Sequence, residues 1–193
     1  MDLDILIVSF LTLFIIMDPF ASLGPFLAMT RKCTDEEVAN TANKAVVIAG
    51  VVALVFLLGG IEVLNLLSVS LSDFKIAGGI VLMLLGLENV LSFSLPTNKD
   101  QDDGLESFAV LIATPMLSGP GLLTSLLFLT KENGLVVVII ALLFSLFFSW
   151  LILRNSVIIR KLLGIRVITV LSKVIGLVII ALGVSFLRSG ILG

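Results

Sequence analysis

The sequence predicts an all-α membrane protein of six transmembrane helices, built as two inverted three-helix repeats, with spans one and four discontinuous. Hydrophobic residues make up 59% of the 193 residues and charged residues only 13%, which is outside the range of ordinary soluble domains. The apolar residues fall in runs that can cross a hydrocarbon core of about 30 Å, which takes about 20 residues of helix. We therefore expect a single transmembrane domain over 1–193.

Six apolar runs have this length, and they cover about 5–29, 45–67, 72–94, 106–130, 134–153 and 167–190. Thr34 and Glu37 have capping-box spacing, which predicts that the second helix begins near residue 34, before it enters the membrane. The pair Asn133-Gly134 predicts a tight turn between spans four and five. The chain begins with acidic residues, Asp2 and Asp4, so we expect the first run to be kept rather than cleaved as a signal peptide.

The distribution of basic residues predicts the orientation. Eight lysines and arginines follow spans one, three and five: Arg31, Lys32, Lys44, Lys99, Arg154, Arg160, Lys161 and Arg166. Three lie on the other side: Lys75, Lys131 and Arg188. By the positive-inside rule the odd-numbered loops face the cytoplasm and both termini lie outside. Trp150, near the inner end of span five, suits an interfacial aromatic position.

Composition excludes several classes of chemistry. The chain has no histidine, so a histidine proton relay, a histidine metal site and a Ser-His pair are excluded. The lone Cys33 excludes an intrachain disulfide and a cysteine metal site. No basic cluster or aromatic platform indicates nucleic-acid binding, and no cofactor is expected.

Two proline-containing motifs interrupt the apolar runs. The motif in span one contains the candidate site residues Asp18, Pro19, Ser22, Gly24 and Pro25. The motif in span four contains the candidate site residues Thr114, Pro115, Ser118, Gly119, Pro120 and Gly121. Proline removes a backbone donor and disfavours helical angles in the residue before it, so both spans are expected to break. An ionisable residue at membrane depth, here Asp18, is a candidate functional residue.

The two halves of the chain resemble each other. Besides the paired proline motifs, Lys75 and Gly78 of span three match Lys173 and Gly176 of span six at a shift of 98 residues. A repeat of three spans must insert its second copy in the opposite sense. The sequence thus divides into repeat one (about 1–94), a loop (95–105) and repeat two (about 106–193). Gly78, Gly79, Gly176 and Gly183 are expected to be close-packing positions rather than site residues.

Broken helices predict a binding site for a small zwitterion. We expect Pro25 and Pro120 each to begin a new half-helix, whose free N–H groups and positive dipole end favour an anionic group. Asp18, at the end of the preceding half-helix, favours an ammonium group or a cation, and Thr114 offers a neutral hydroxyl at the matching position. For the serines, back-bonding to a helix carbonyl is the alternative to ligand contact. Glu88 and Asn89, near the end of span three, are expected to be solvated or to act at a gate.

These motifs resemble the MarC family of six-span membrane proteins. The resemblance covers essentially the whole chain and rests on Asp18-Pro19, Gly24-Pro25, Thr114-Pro115 and Gly119-Pro120-Gly121. It implies an inner-membrane protein and, through the SnatA branch of the family, a transporter of small neutral amino acids such as glycine and alanine. The spacing between prolines is one residue shorter in the second motif, so the two sites are not strictly symmetric.

We therefore expect a secondary transporter of glycine, alanine and, as further candidates, serine and threonine, with a proton or sodium ion (bound near Asp18) as the coupling ion. A passive channel, an exporter of other small solutes and a non-transporting structural subunit remain alternatives. An intramembrane protease would need a second deep carboxylate or a histidine, so we expect no enzyme. The sequence leaves the direction of transport and the oligomeric state open.

Overall fold

The computed structural model describes residues 2–31, 33–91 and 117–192, and over these ranges the chain is helical without strands. The described helices are α1 (Leu3–Met17), α2 (Pro19–Met29), α3 (Asp35–Leu66), α4 (Leu71–Leu91), α5 (Pro120–Asn133), α6 (Leu135–Arg154) and α7 (Ser156–Leu192). Five stretches are long and apolar enough to cross a membrane: α1 with α2, α3, α4, α6 and α7. The expectation of an all-α, multi-span protein is confirmed.

Span four is described only in its second half. Its first half and the loop 95–105 lie outside the described residues, and α5 alone has 14 residues, too few to cross the membrane. The number of spans predicted from the sequence, six, therefore stays a prediction.

Two local predictions are confirmed by the backbone. Thr34 is the N-cap of α3: its hydroxyl oxygen accepts the Glu37 N–H at 3.3 Å, and the Glu37 carboxylate accepts the Thr34 N–H at 2.8 Å. Each partner satisfies a backbone donor that the first turn of a helix leaves open. Between α5 and α6 the chain turns at Gly134, whose φ of 83° is readily accessible only to glycine.

The last helix differs from the predicted span. It begins at Ser156, eleven residues before the predicted residue 167, and Gly164 (φ 73°, ψ 157°) divides it. This backbone region is essentially restricted to glycine, so Gly164 redirects the chain without a long loop. Arg160 and Lys161 are exposed on the short segment before it. The basic stretch predicted to be a loop is therefore helical.

Glycines bring α4 and α7 into close contact along their length. A Cβ added to Gly79 would lie 2.7 Å from the carbonyl oxygen of Gly183, and one added to Gly86 would lie 2.5 Å from that of Gly176. A Cβ on Gly78 would overlap the side chain of Thr124 in α5. Small residues permit such backbone approach between membrane helices. The interpretation of these glycines as close-packing positions is confirmed.

A second layer forms where α1 packs against α6. The rings of Phe10 and Phe148 lie 5.6 Å apart, and the Ser145 hydroxyl donates both to the Phe10 carbonyl (3.3 Å) and to the Ala141 carbonyl in its own helix (2.9 Å). The Asn133 side chain donates to the Ser9 hydroxyl at 3.0 Å. These contacts fix α1 to the α5–α6 hairpin, with the buried core between them and α4.

Candidate functional site

The first helix break lies at one residue. α1 ends at Met17, α2 begins at Pro19, and Asp18 between them has left-handed angles (φ 37°, ψ 65°). Pro19 cannot donate to a carbonyl of α1, and its ring disfavours helical angles at residue 18. Aspartate tolerates the left-handed region better than most residues because its short side chain can bond locally. The predicted interruption of span one is therefore observed at Asp18.

The second half-helix begins earlier than expected. Pro19, rather than Pro25, occupies its first position, where the missing N–H costs nothing. Pro25 lies inside α2, so it removes the helical hydrogen bond to the carbonyl of Ala21 without ending the helix. The prediction that Pro25 opens a half-helix is wrong, because the break before Pro19 already gives the chain its change of direction.

The Asp18 carboxylate is buried and already has two donors. The residue is 5% exposed; one carboxylate oxygen accepts the Ala21 N–H at 3.1 Å and the other accepts the Asn89 side-chain N–H at 2.7 Å. Its carbonyl oxygen accepts the Ser22 hydroxyl at 3.2 Å, so Ser22 back-bonds to the helix. Asp18 therefore caps α2 with its own charge. The expectation that this helix start is open to a substrate anion is wrong.

Asn89 is a partner of Asp18 that sequence reasoning did not identify. It belongs to α4, 71 residues away along the chain, and its Cβ packs against Gly176 of α7. The expectation of a solvated position at the end of span three is wrong for Asn89, since the amide bonds to the buried carboxylate. The available signal was an amide, beside Glu88, on the glycine-lined face of a membrane helix.

The start of α5 is where the sequence predicts the second break; the residues before Leu117 lie outside the described ranges. Gly119 is the N-cap, with extended angles (φ −66°, ψ 170°) and no side-chain cap of its own, and Pro120 has the first position. The expectation that a helix begins at Pro120 is confirmed, and the break itself stays a prediction. Ser118, Gly119 and Gly121 are buried beside it. Thr114 and Pro115 lie outside the described residues.

Hydroxyl groups on α5 bond to their own helix. The Thr124 hydroxyl donates to the carbonyl of Pro120 at 2.8 Å, and that of Ser125 donates to Gly121 at 2.7 Å. Back-bonding of this kind satisfies a hydroxyl in an apolar environment. The alternative interpretation of these residues, helix packing rather than ligand contact, fits what is observed.

The break at Asp18 and the start of α5, the predicted second break, are neighbours in space. A Cβ on Gly121 would lie 3.7 Å from the side chain of Ile16, two residues before Asp18, and 2.5 Å from that of Leu82 in α4. Leu82 and Asn89 are seven residues apart, which is close to two helical turns and hence one face of α4. α4 therefore has contacts with both breaks, at Asn89 and at Leu82.

Sequence comparison now assigns the chain to a family. The family described as "MarC family integral membrane protein" matches residues 3–193. The chain belongs to the MarC family. The membrane protein MJ1677 of Methanocaldococcus jannaschii is 31% identical over 202 residues, covering 100% of the chain and 98% of the relative. The inner membrane protein YhgN of Escherichia coli is 28% identical over 181 residues, covering 93% and 92%. No solved structure matches the chain.

In this MarC-family chain Asp18 is 5% exposed among the described residues. Two surface grooves, of about 340 Å³ and 160 Å³, lie against α6 and do not include Asp18. Open space lies on the α2 side of the break: a Cβ added to Gly24 would meet no neighbouring atom within 4 Å, and Pro25 next to it is exposed.

Proposed function

We propose that this multi-pass membrane protein is a secondary transporter that moves small neutral amino acids across the cell membrane, coupled to a proton or sodium gradient. Glycine and alanine are the expected substrates, with serine and threonine as further candidates. The observation that carries the proposal is a buried carboxylate at a helix break beside the start of another helix, whose N-cap is a glycine. Interrupted helices that meet around a site within the membrane are a recurrent feature of secondary transporters.

The two breaks supply opposite polarities. Asp18 has one accepted bond on each carboxylate oxygen, and a carboxylate can accept about four, so capacity remains for an ammonium group or a cation. At the start of α5, Pro120 has no N–H and the Leu122 N–H donates to the Gly119 carbonyl at 2.9 Å, so the Gly121 N–H and the positive end of the helix dipole are what suit a carboxylate. An α-amino acid carries both groups a short distance apart. A small side chain is favoured because Leu82 and Ile16 lie close to Gly121 and leave little space there.

The charge of the loaded site supports ion coupling. A zwitterion brings no net charge, so Asp18 keeps the site at −1 after the substrate binds. An unbalanced buried charge at this depth costs several kcal/mol. A proton on Asp18, or a sodium ion that also uses the Ile16 and Met17 carbonyls, which receive no donor within α1, removes that cost. Ion and substrate then favour each other's binding, which is the linkage of a symporter.

Six spans and inverted repeats belong to the same proposal. The glycine contacts support the repeats: Gly79 and Gly86 are seven residues apart, as are Gly176 and Gly183, and each glycine of one pair faces one of the other. Gly79 contacts Gly183, and Gly86 contacts Gly176, so the pattern is unchanged when α4 and α7 are interchanged. In this correspondence Gly79 matches Gly176 and Gly86 matches Gly183, a shift of 97 residues along the chain. The sequence alone had indicated a shift of 98.

We extend the proposal to location and orientation. The E. coli relative is named as an inner membrane protein, so an inner-membrane location is proposed here as well. The excess of lysine and arginine on the odd-numbered loops favours both termini outside. Because Asp18 is the acidic side chain that is buried among the described residues, we propose transport rather than enzymatic catalysis.

The test is uptake of labelled glycine, alanine and leucine into proteoliposomes, with proton and sodium gradients imposed separately. Glycine and alanine should accumulate under one of the two gradients. Uptake that only equilibrates, with or without a gradient, would instead support the passive channel. If the correctly folded protein moves none of these solutes under either gradient, the result would support the alternative of a non-transporting structural subunit.

Asp18→Asn tests the coupling step with little change to the fold. Asparagine also caps helices and also tolerates left-handed angles, so the break should persist. The variant should still exchange amino acid across the membrane, but it should lose accumulation driven by the ion gradient. Concentrative uptake at the wild-type level would contradict the assignment of Asp18 and leave it a structural cap.

A further inference from the structure

A groove on the lipid-facing side, separate from the two breaks, lies between α3 and α6. Its volume is about 340 Å³, and apolar side chains, including Val47, Leu143 and Phe147, form its walls. These three side chains are exposed in the protein alone. In the membrane the groove would therefore face the hydrocarbon of the bilayer, and its apolar walls suit an apolar chain.

One end of the groove is polar. Trp150 donates its indole N–H to the side-chain oxygen of Asn43 at 2.6 Å, and both residues line the groove. Asn43 lies just before α3 becomes continuously apolar at Ala45, and Trp150 lies four residues before the end of α6. Tryptophan at such a position marks the boundary between hydrocarbon and headgroups. The polar end is thus at headgroup level.

A positively charged side chain, Arg154, lies at the polar end of the groove. The Arg154 guanidinium lies over the Trp150 ring, 5.1 Å from the ring centre, and the residue is exposed. Within the described ranges Arg154 pairs with no acidic side chain. Stacking on an aromatic face leaves the guanidinium edges available, and these edges match the geometry of a phosphate.

We propose that this groove is a binding site for an anionic phospholipid, with one acyl chain between α3 and α6 and the phosphate at Arg154. The apolar walls account for the chain, and the arginine accounts for the charge. A zwitterionic lipid offers the same chain but no net attraction for the cation. The proposal does not depend on transport activity.

Trp150 makes the test specific, because it is the only tryptophan of the chain. The purified protein is placed in nanodiscs of phosphatidylcholine that contain a small, increasing fraction of phosphatidylglycerol brominated near the carbonyl end of its chains. Bromine quenches tryptophan fluorescence only at close range. We expect quenching to saturate at a much lower fraction of brominated phosphatidylglycerol than of equally brominated phosphatidylcholine.

Two variants distinguish the contribution of the lipid headgroup from that of the acyl chain. Arg154→Gln should reduce the preference for phosphatidylglycerol about five-fold, the equivalent of ~1 kcal/mol for one basic side chain near the surface. Val47→Phe, at an exposed position, should fill the groove and weaken quenching by both lipids. Arg160→Gln removes an exposed arginine that, unlike Arg154, does not stack on Trp150, and it should leave the preference unchanged.

Equal quenching by the two lipids in the wild-type protein would overturn the proposal, since the groove would then accept any acyl chain. An equal effect of Arg154→Gln and Arg160→Gln would overturn it as well, because the attraction would belong to the whole basic surface.

Discussion

Removal of the Asn89 amide measures how much the contact between α4 and the helix break contributes to stability. We choose Asn89→Leu because leucine is close in size and keeps a side chain against Gly176, while it cannot donate to Asp18. A hydrogen bond to a charged group contributes ~1.5–3 kcal/mol in soluble proteins. Bonds between membrane helices contribute about 0.6 kcal/mol on average and about 1.7 at most.

The hydrogen bond from Asn89 to Asp18 is 2.7 Å long and its acceptor is a carboxylate. We therefore expect its contribution to lie in the upper part of the range for bonds between membrane helices. We expect Asn89→Leu to lower the free energy of unfolding by about 1–2 kcal/mol. The assay is unfolding by SDS in mixed micelles, followed by the fluorescence of Trp150. Asn65→Leu, at an exposed position near the end of α3, is the matched control and should change stability by no more than about 0.5 kcal/mol.

The same substitution in the Asp18→Asn background tests the charge on residue 18. Charge-assisted hydrogen bonds are about twice as strong as neutral ones, so Asn89→Leu should cost about half as much there. Equal losses of stability for Asn89→Leu and Asn65→Leu in the wild-type background would refute the reasoning.

Three further predictions concern topology, substrate and packing. In a background that lacks Cys33, the variant Asp102→Cys should resist an impermeant thiol reagent added from outside, and ready labelling would reverse the proposed orientation. Alanine should compete for glycine uptake far better than tryptophan or phenylalanine, and equal competition would contradict a small site. Gly86→Ala, which would bring a Cβ to 2.5 Å from the Gly176 carbonyl, should lower the free energy of unfolding by about 1–3 kcal/mol; Gly59→Ala, with open space around it in α3, should be neutral or stabilising in the same unfolding assay.

The sequence predicts the first break because its cause is local. A proline has no N–H to donate, and its ring disfavours helical angles in the aspartate before it, whatever surrounds the pair. It does not show which of two prolines starts the next helix, since Pro19 and Pro25 both suit a first helical position. The structure answers this: Asp18 turns the chain before Pro19, so Pro25 lies within a helix that has already begun.

Tertiary contacts account for what the sequence could not show. Asn89 reaches Asp18 across 71 residues, and neither residue carries a local sign of its partner. The close approach of α4 and α7 was predictable because glycines recur along both helices. Its register was not, since helices rich in leucine, valine and glycine align almost equally well at neighbouring shifts.

The single-residue break at Asp18 has a mechanical consequence. The first half of the span, α1, is held to the α5–α6 hairpin through Ser9 and Phe10, whereas α2 follows after the single residue Asp18 and packs against α6 and α7. α2 has 11 residues, so it is a lever about 16 Å long at 1.5 Å per residue. A rotation of about 10° at this pivot carries its far end about 3 Å over that length. In the proposed transporter, a change in the bonds of this one carboxylate would therefore shift the far end of α2 by a distance comparable to the width of a small solute.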